Sequence, residues 1–154
     1  MRRFKLILSV LFTVLGFSAC GLDENKPYDL NFIHIMLDGA SSTTVSYKAK
    51  TVATYSVYLS SAKFTESVEL TYEIIVGDGL KAGVDYNLIT VGNKLIFLPG
   101  IYDMPIRIQW LSNAIDVSKD NTLTIRLVSN DKDYIIGLPG PDKLQSEFII
   151  SKVQ

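Results

Sequence analysis

The chain has 154 residues, 47% of them hydrophobic and 20% charged, with a formal net charge of −1. That length suits one domain, the aliphatic content excludes intrinsic disorder, and the near-neutral balance excludes the strongly basic profile of a nucleic-acid binder. A single His and a single Cys exclude most metal clusters and any disulfide within the chain.

The amino terminus opens with the basic stretch Met1-Arg2-Arg3-Phe4-Lys5. An apolar run follows from Leu6 to Phe17, broken only by Ser9, Thr13 and Gly16. Ser18-Ala19-Cys20 ends it with small residues. A positive start, a short apolar run and a small-residue cleavage site make a secretory signal peptide, and the run is shorter than the roughly 20 apolar residues of a spanning helix. Phe17-Ser18-Ala19-Cys20 resembles the lipobox of bacterial lipoproteins, with Phe17 in place of the usual Leu. The resemblance implies cleavage before Cys20 and acylation of its thiol and new amino terminus. It also gives the sole Cys a role that a leftover Cys in a secreted protein otherwise lacks. The expected organisation is a signal peptide over 1–19, a lipidated Cys and tether over 20–29, and one domain over 30–154. Loss of the first 19 residues leaves 135, and because Arg2, Arg3 and Lys5 leave with them the charge falls from −1 to −4. Such a chain has no electrostatic pull toward anionic headgroups, so the acyl chains must do the tethering.

Gly21 to Pro27 is polar, aperiodic and contains a proline, which reads as a flexible tether. Asp23 and Glu24 resemble the acidic stretch behind the Cys of surface-exported lipoproteins, and they read equally as a solvated linker. The expected location is the outer membrane, facing the surface or, alternatively, the periplasm.

Period-two alternation dominates from residue 30 onward. Predicted strands cover 31–36, 43–47, 52–60, 68–74, 86–90, 94–98, 106–110, 123–127 and 147–153. In Val68-Glu69-Leu70-Thr71-Tyr72-Glu73-Ile74, one face is apolar and Glu69, Thr71 and Glu73 face water. Pro105 is placed at a strand start, where a missing donor is tolerated. Gly77-Asp78-Gly79, Ala82-Gly83, Gly92-Asn93, Pro99-Gly100, Asn130-Asp131 and Pro139-Gly140-Pro141 supply turns. Short strands separated by such turns predict an all-β sandwich or barrel. Trp110 shares a face with Ile106 and Ile108 and is expected in the core. Tyr55 and Tyr58 fall on opposite faces of one strand. His34, in phase with Phe32 and Met36, is expected to be structural.

Residues 68–129 resemble a Calx-β-type domain. The likeness runs through Tyr72-Glu73-Ile74-Ile75, Ala82-Gly83-Val84-Asp85-Tyr86, Leu95-Ile96-Phe97-Leu98-Pro99-Gly100, Ile106-Arg107-Ile108 and Asn121-Thr122-Leu123-Thr124-Ile125-Arg126-Leu127. It implies an immunoglobulin-like sandwich of two sheets. The chain is also similar to small lipoproteins of unknown function found beside outer-membrane glycan-uptake systems. The motifs have their own physical reading: Gly83 supplies positive φ, Asp85 caps the turn, and Pro99-Gly100 ends a strand. Some Calx-β domains bind Ca²⁺ through clustered acids. Here the matching stretch is Ser118-Lys119-Asp120-Asn121, whose lysine repels a cation. No cofactor is expected; Asp116 and Asp120 are the calcium candidates, joined by Asp131 and Asp133 if their loops share an end.

Catalytic inventories fail. A hydrolase triad would have to use His34, the Cys is committed to lipid, and no phosphate-binding glycine loop is present. The expectation is a non-catalytic module at the cell envelope, held by lipid on Cys20, with a glycan or an envelope protein as partner. Tyr102 and Tyr134, in or beside turns, are the residues proposed to stack on sugar; the competing reading packs both under their own loops. The alternative function is a structural or assembly subunit packed on an outer-membrane transporter or another lipoprotein, through an edge strand or apolar patch.

Overall fold

The computed structural model describes residues 30–154. The expected signal peptide, Cys20 and the tether therefore lie outside the described residues. Ten strands and no helix occur among those described. The chain begins with β1 (Phe32–Met36), β2 (Ser42–Ser46), β3 (Val52–Ser60) and β4 (Val68–Val76). It continues through β5 (Tyr86–Leu88), β6 (Lys94–Phe97) and β7 (Asp103–Trp110). It closes with β8 (Thr122–Asn130), β9 (Ile135–Ile136) and β10 (Glu147–Val153). One sheet has the order β5-β7-β3-β1-β9 and the other β2-β10-β8-β4-β6. This is the two-sheet sandwich that the alternation implies.

The alternation works as expected. Val68, Leu70 and Tyr72 of β4 point inward, as do Leu123, Ile125 and Leu127 of β8 and Phe148 and Ile150 of β10. Trp110 is fully buried, lies 6.3 Å from the Tyr86 ring, and donates its indole N–H to the Tyr55 hydroxyl at 3.1 Å. Each such side chain contributes about 1.5–3 kcal/mol by leaving water. Tyr55 is buried and Tyr58 is not, as their opposite parity requires. His34 stands on the outer face of its sheet, its ring 5.3 Å from Phe32 and 5.6 Å from Tyr58. Burial among these rings pushes the imidazole below its ordinary pKa.

Several details depart from the sequence expectation. The β5 strand stops at Leu88, because Ile89 and Thr90 both turn their N–H groups onto the Arg107 carbonyl. Pro105 is not a strand start but the third residue of β7, opposite Ser56. The neighbouring bond from Leu59 N–H to the Tyr102 carbonyl makes 56/105 a non-hydrogen-bonded pair. The missing proline donor therefore points away from β3, past the end of β5, where no ladder needs it. The β9 strand was not expected, since two residues carry no period. It forms because Ile135 and Gly137 donate to the carbonyls of Asn31 and Ile33.

The first strand crosses between the sheets. Leu37 and Ala40 exchange N–H···O bonds of 3.1 and 2.9 Å around Asp38 and Gly39, which sit at φ 51° and 80°. Asp-Gly is the dipeptide that such a left-handed pair favours. Beyond it the chain leaves β3 and continues as β2, parallel to β10.

The sandwich has two ends. At the N-terminal end, where Leu30 and Asn31 lead into β1, lie the loops 61–67, 98–102 and 131–134. At the far end lie 47–51, 77–85 and 111–121.

Candidate functional site

The far end spends its polar groups on itself. Asp116 accepts from both the N–H and the hydroxyl of Ser118, at 3.0 and 2.6 Å, and these bonds hold its carboxyl below the usual range. Asp120 accepts in the same way from Thr122, at 3.0 and 2.7 Å, and its own N–H goes to Asp78. Both calcium candidates are thus engaged as turn caps. Asp131 and Asp133 do not join them. They follow the opposite end of the nine-residue β8, which spans roughly 27 Å at strand rise, and Asp131 caps the Glu69 N–H at 2.8 Å. No group of three or more metal-ligating side chains forms among the described residues.

The same end contains a buried ion pair that the sequence reading missed. Lys152 continues the inward parity of Phe148 and Ile150, and its ammonium lies 2.8 Å from Asp85 Oδ1. Lys152 also donates to the Leu111 carbonyl at 3.0 Å. Asp85 takes further bonds from the Asn113 amide and the Lys81 N–H, at 3.1 and 2.9 Å. Burial alone would push the Asp85 carboxyl up; the bonds from Lys152, Asn113 and Lys81 outweigh it and hold the group below its ordinary value. The turn-capping role expected of Asp85 is real, and the pair additionally ties two far-end loops to the last strand.

The N-terminal end is built differently. Asn130 closes the 131–134 loop: its side-chain oxygen accepts from the N–H groups of Lys132 and Tyr134, at 3.1 and 2.9 Å, and its amide donates to the Tyr134 carbonyl at 2.8 Å. That Asx-type loop, with Asp133 at φ 54°, turns the Tyr134 ring inward against the core. Two clefts meet at this ring. One, of about 310 Å³, opens at the N-terminal end and is lined by Asn31, Lys63, Phe64, Glu66, Lys132 and Tyr134 among others. Lys132 and Glu66 pair at 2.6 Å among its walls. The other, of about 490 Å³, runs along the flank where β9 of one sheet faces β8 and β10 of the other.

The flank groove has an apolar side and a charged side. Val128, Ile135 and Ile136 contribute the first; Arg126, Lys143 and Glu147 contribute the second. A bulge makes the apolar side. Tyr72 pairs with Leu127 but Thr71 pairs with Ser129, so Val128 is the extra residue and stays exposed. Arg126 bridges Glu147 and Glu73, each at 3.1 Å, which fixes its guanidinium on the outer face of the sheet.

Tyr102 and Tyr134 share an end but not a site. Tyr134 lines both clefts, whereas Tyr102 lines neither and packs edge-to-face on Phe64 with centroids 5.2 Å apart. Tyr134 is partly buried against the core, while Tyr102 keeps 37% of its surface in solvent. Phe64, Arg126 and Lys143 belong to these clefts and were not singled out from the sequence. The Asn130-Asp131 turn signal was the available clue to the loop that aims Tyr134.

No family model matches the chain, and no curated protein matches it. Among solved structures, the chain is similar to CBD12 from CALX1.2, with a TM-score of 0.52 and 17% sequence identity. The match covers 79% of this chain and 45% of that one, so the chain spans less than half the length of that structure. At this identity the likeness shows the fold: an all-β, Calx-β-like, immunoglobulin-like sandwich.

Proposed function

We propose that this chain is a lipid-anchored, non-catalytic module of the bacterial cell envelope that holds a ligand in the flank groove beside Tyr134. The groove carries the reading. It is concave and lined by apolar side chains together with an arginine, a lysine and a glutamate. Such a lining suits a glycan, whose C–H faces rest on apolar side chains while its hydroxyls bond to charged ones. The lipobox-like Phe17-Ser18-Ala19-Cys20 supports the anchor, and the outer membrane is the expected location. Burial of the one histidine among Phe32 and Tyr58 supports a role without catalysis.

The test is retardation of the full chain in gels containing a panel of soluble polysaccharides. A retarding polysaccharide should lose its effect with Arg126→Ala and with Tyr134→Ala, and keep it with Tyr102→Ala. Retardation abolished by Tyr102→Ala alone would move the site to the other side of the N-terminal end, and no retardation by any polysaccharide would count against glycan capture. A second reading, an assembly subunit packed on another envelope protein, is favoured by one observation. Ile96, Leu98, Ile101 and Tyr102, at the turn between β6 and β7, are all exposed, and a cluster of exposed apolar side chains marks a contact surface. Co-purification of a stoichiometric partner from membranes would support it.

A further inference from the structure

From the placement of the segment 95–102 we infer that its tip is a membrane-contact element, which seats the N-terminal end of the sandwich on the lipid surface to which the chain is tethered. The inference deepens the anchored reading above and rests on acylation of Cys20.

Four observations carry it. The eight residues Leu95-Ile96-Phe97-Leu98-Pro99-Gly100-Ile101-Tyr102 contain no charge, between Lys94 and Asp103. Leu95 and Phe97 face the core, but Ile96, Leu98, Ile101 and Tyr102 are 49%, 58%, 44% and 37% exposed. One backbone bond closes the turn at the tip. Ile101 N–H donates to the Leu98 carbonyl at 2.8 Å, and Gly100 supplies the positive φ, 87°, that the turn requires. The Tyr102 carbonyl is bonded in turn to Leu59 of β3 at 2.8 Å. An uncharged apolar turn suits the headgroup region, where water and lipid oxygens meet its remaining peptide groups.

Position selects lipid as the occupant. The tip lies at the end of the sandwich where Leu30 and Asn31 bring the chain in. Ten residues separate Cys20 from Asn31, and even fully extended they reach only about 35 Å. An acyl chain on Cys20 therefore holds this end of the sandwich, where the tether joins it, within about 35 Å of the bilayer. Tyr102 sits at the margin of the tip, where an amphipathic ring suits the interface between headgroups and acyl chains. The geometry is compatible with ligand capture. The tip belongs to the β6/β7 side of the sandwich and the groove to the β8/β9 side, so seating the former leaves the latter open laterally.

The experiment uses the acylated full chain, made in a bacterial host and reconstituted into vesicles of phosphatidylethanolamine and phosphatidylglycerol. Ile101→Cys and, at the far end, Val117→Cys each carry an environment-sensitive fluorophore; both positions are exposed in the native chain. The expected result is a blue shift at 101 and loss of its emission to brominated acyl chains, with neither effect at 117. Intact mass is read on the same samples. Acylated Cys20 with position 101 as wet as position 117 overturns the inference and leaves the anchor standing. An unmodified Cys20 with the leader attached overturns both. A shift at 101 that appears only when a second protein is added to the vesicles overturns it in favour of the assembly reading.

Discussion

The two ends of this sandwich are made from the same kinds of residue and use them in opposite ways. At the far end, acids cap their own turns and an aspartate is buried against a lysine from the last strand. At the N-terminal end, a lysine and a glutamate pair in solvent beside a cleft, and an apolar turn stands exposed. The difference teaches where the chain puts its stability and where it leaves surface for something else. Polar groups with several internal partners have little left to offer a ligand.

The largest expected effect tests the closed end. Lys152→Met removes the cation that faces Asp85 and leaves a buried carboxylate with only the Asn113 and Lys81 donors. We expect a loss of about 3–5 kcal/mol in urea unfolding, the range for breaking one partner of a buried pair. Asp85→Ala should cost a similar amount, and the double substitution less than the two losses combined, because each single change strands the other group. Additive losses would mean that the two side chains stabilise the fold independently.

The same pair sets an acid limit. The Asp85 carboxyl is held below its ordinary value of 3.8 in the folded chain. A depressed folded pKa gives stability that is complete above the unfolded value and disappears as pH falls through the folded one. The urea midpoint should therefore hold steady well above pH 3.8 and drop below it. Asp116 and Glu66 are lowered as well, but both are open to solvent, and screening leaves them little part in that slope. Asp85→Asn should remove only part of it; an unchanged slope would relieve Asp85 of the role.

Glycines sharpen the contrast. A Cβ at Gly77 would overlap the backbone oxygen of Asp120, because the β4–β5 turn is pressed onto the β7–β8 loop. Gly77→Ala should cost about 2–3 kcal/mol, as overpacking does in a site that cannot give way. At the N-terminal end, a Cβ at Gly100 would meet nothing within 4 Å, and only its φ of 87° resists substitution. Gly100→Ala should cost about 1 kcal/mol, the usual left-handed penalty. Equal losses at the two positions would show that the far end is no more tightly fitted than the other.

Much of this contrast was legible in the sequence, and the remainder has identifiable physical reasons. Alternation in 68–74 and 123–127 was enough to assign the inward faces of β4 and β8, since a half-buried sheet needs period two. The Ala82-Gly83-Val84-Asp85 turn was legible because its cap is local, four residues from the Lys81 N–H it accepts. Lys152 was not singled out from the sequence, although its parity with Phe148 and Ile150 points it inward, and its partner lies 67 residues away, a separation no local pattern spans. The same limit hid β9, whose two residues form a strand only because β1 offers a free edge. For Tyr134 the sequence left stacking on a ligand and packing under its own loop side by side; the bonds from Asn130 that shape its loop depend on geometry, not on composition.

The smallest expected effect lies at the open end, and its smallness carries information. Glu66 keeps 77% of its side chain in solvent although it pairs with Lys132 at 2.6 Å. Its carboxyl is held low mainly by the hydrogen bond from Lys132, but water screens such a pair and side-chain entropy opposes it. Glu66→Gln should leave the urea midpoint unmoved within error, in contrast to Asp85→Asn at the other end. The same substitution frees the Lys132 ammonium beside the N-terminal cleft. If that cleft takes part in ligand capture, retardation by an acidic polysaccharide should rise, while a neutral one is held as before. A clear loss of stability in Glu66→Gln would make the N-terminal end a second closed end, and the division of labour between the two would no longer stand.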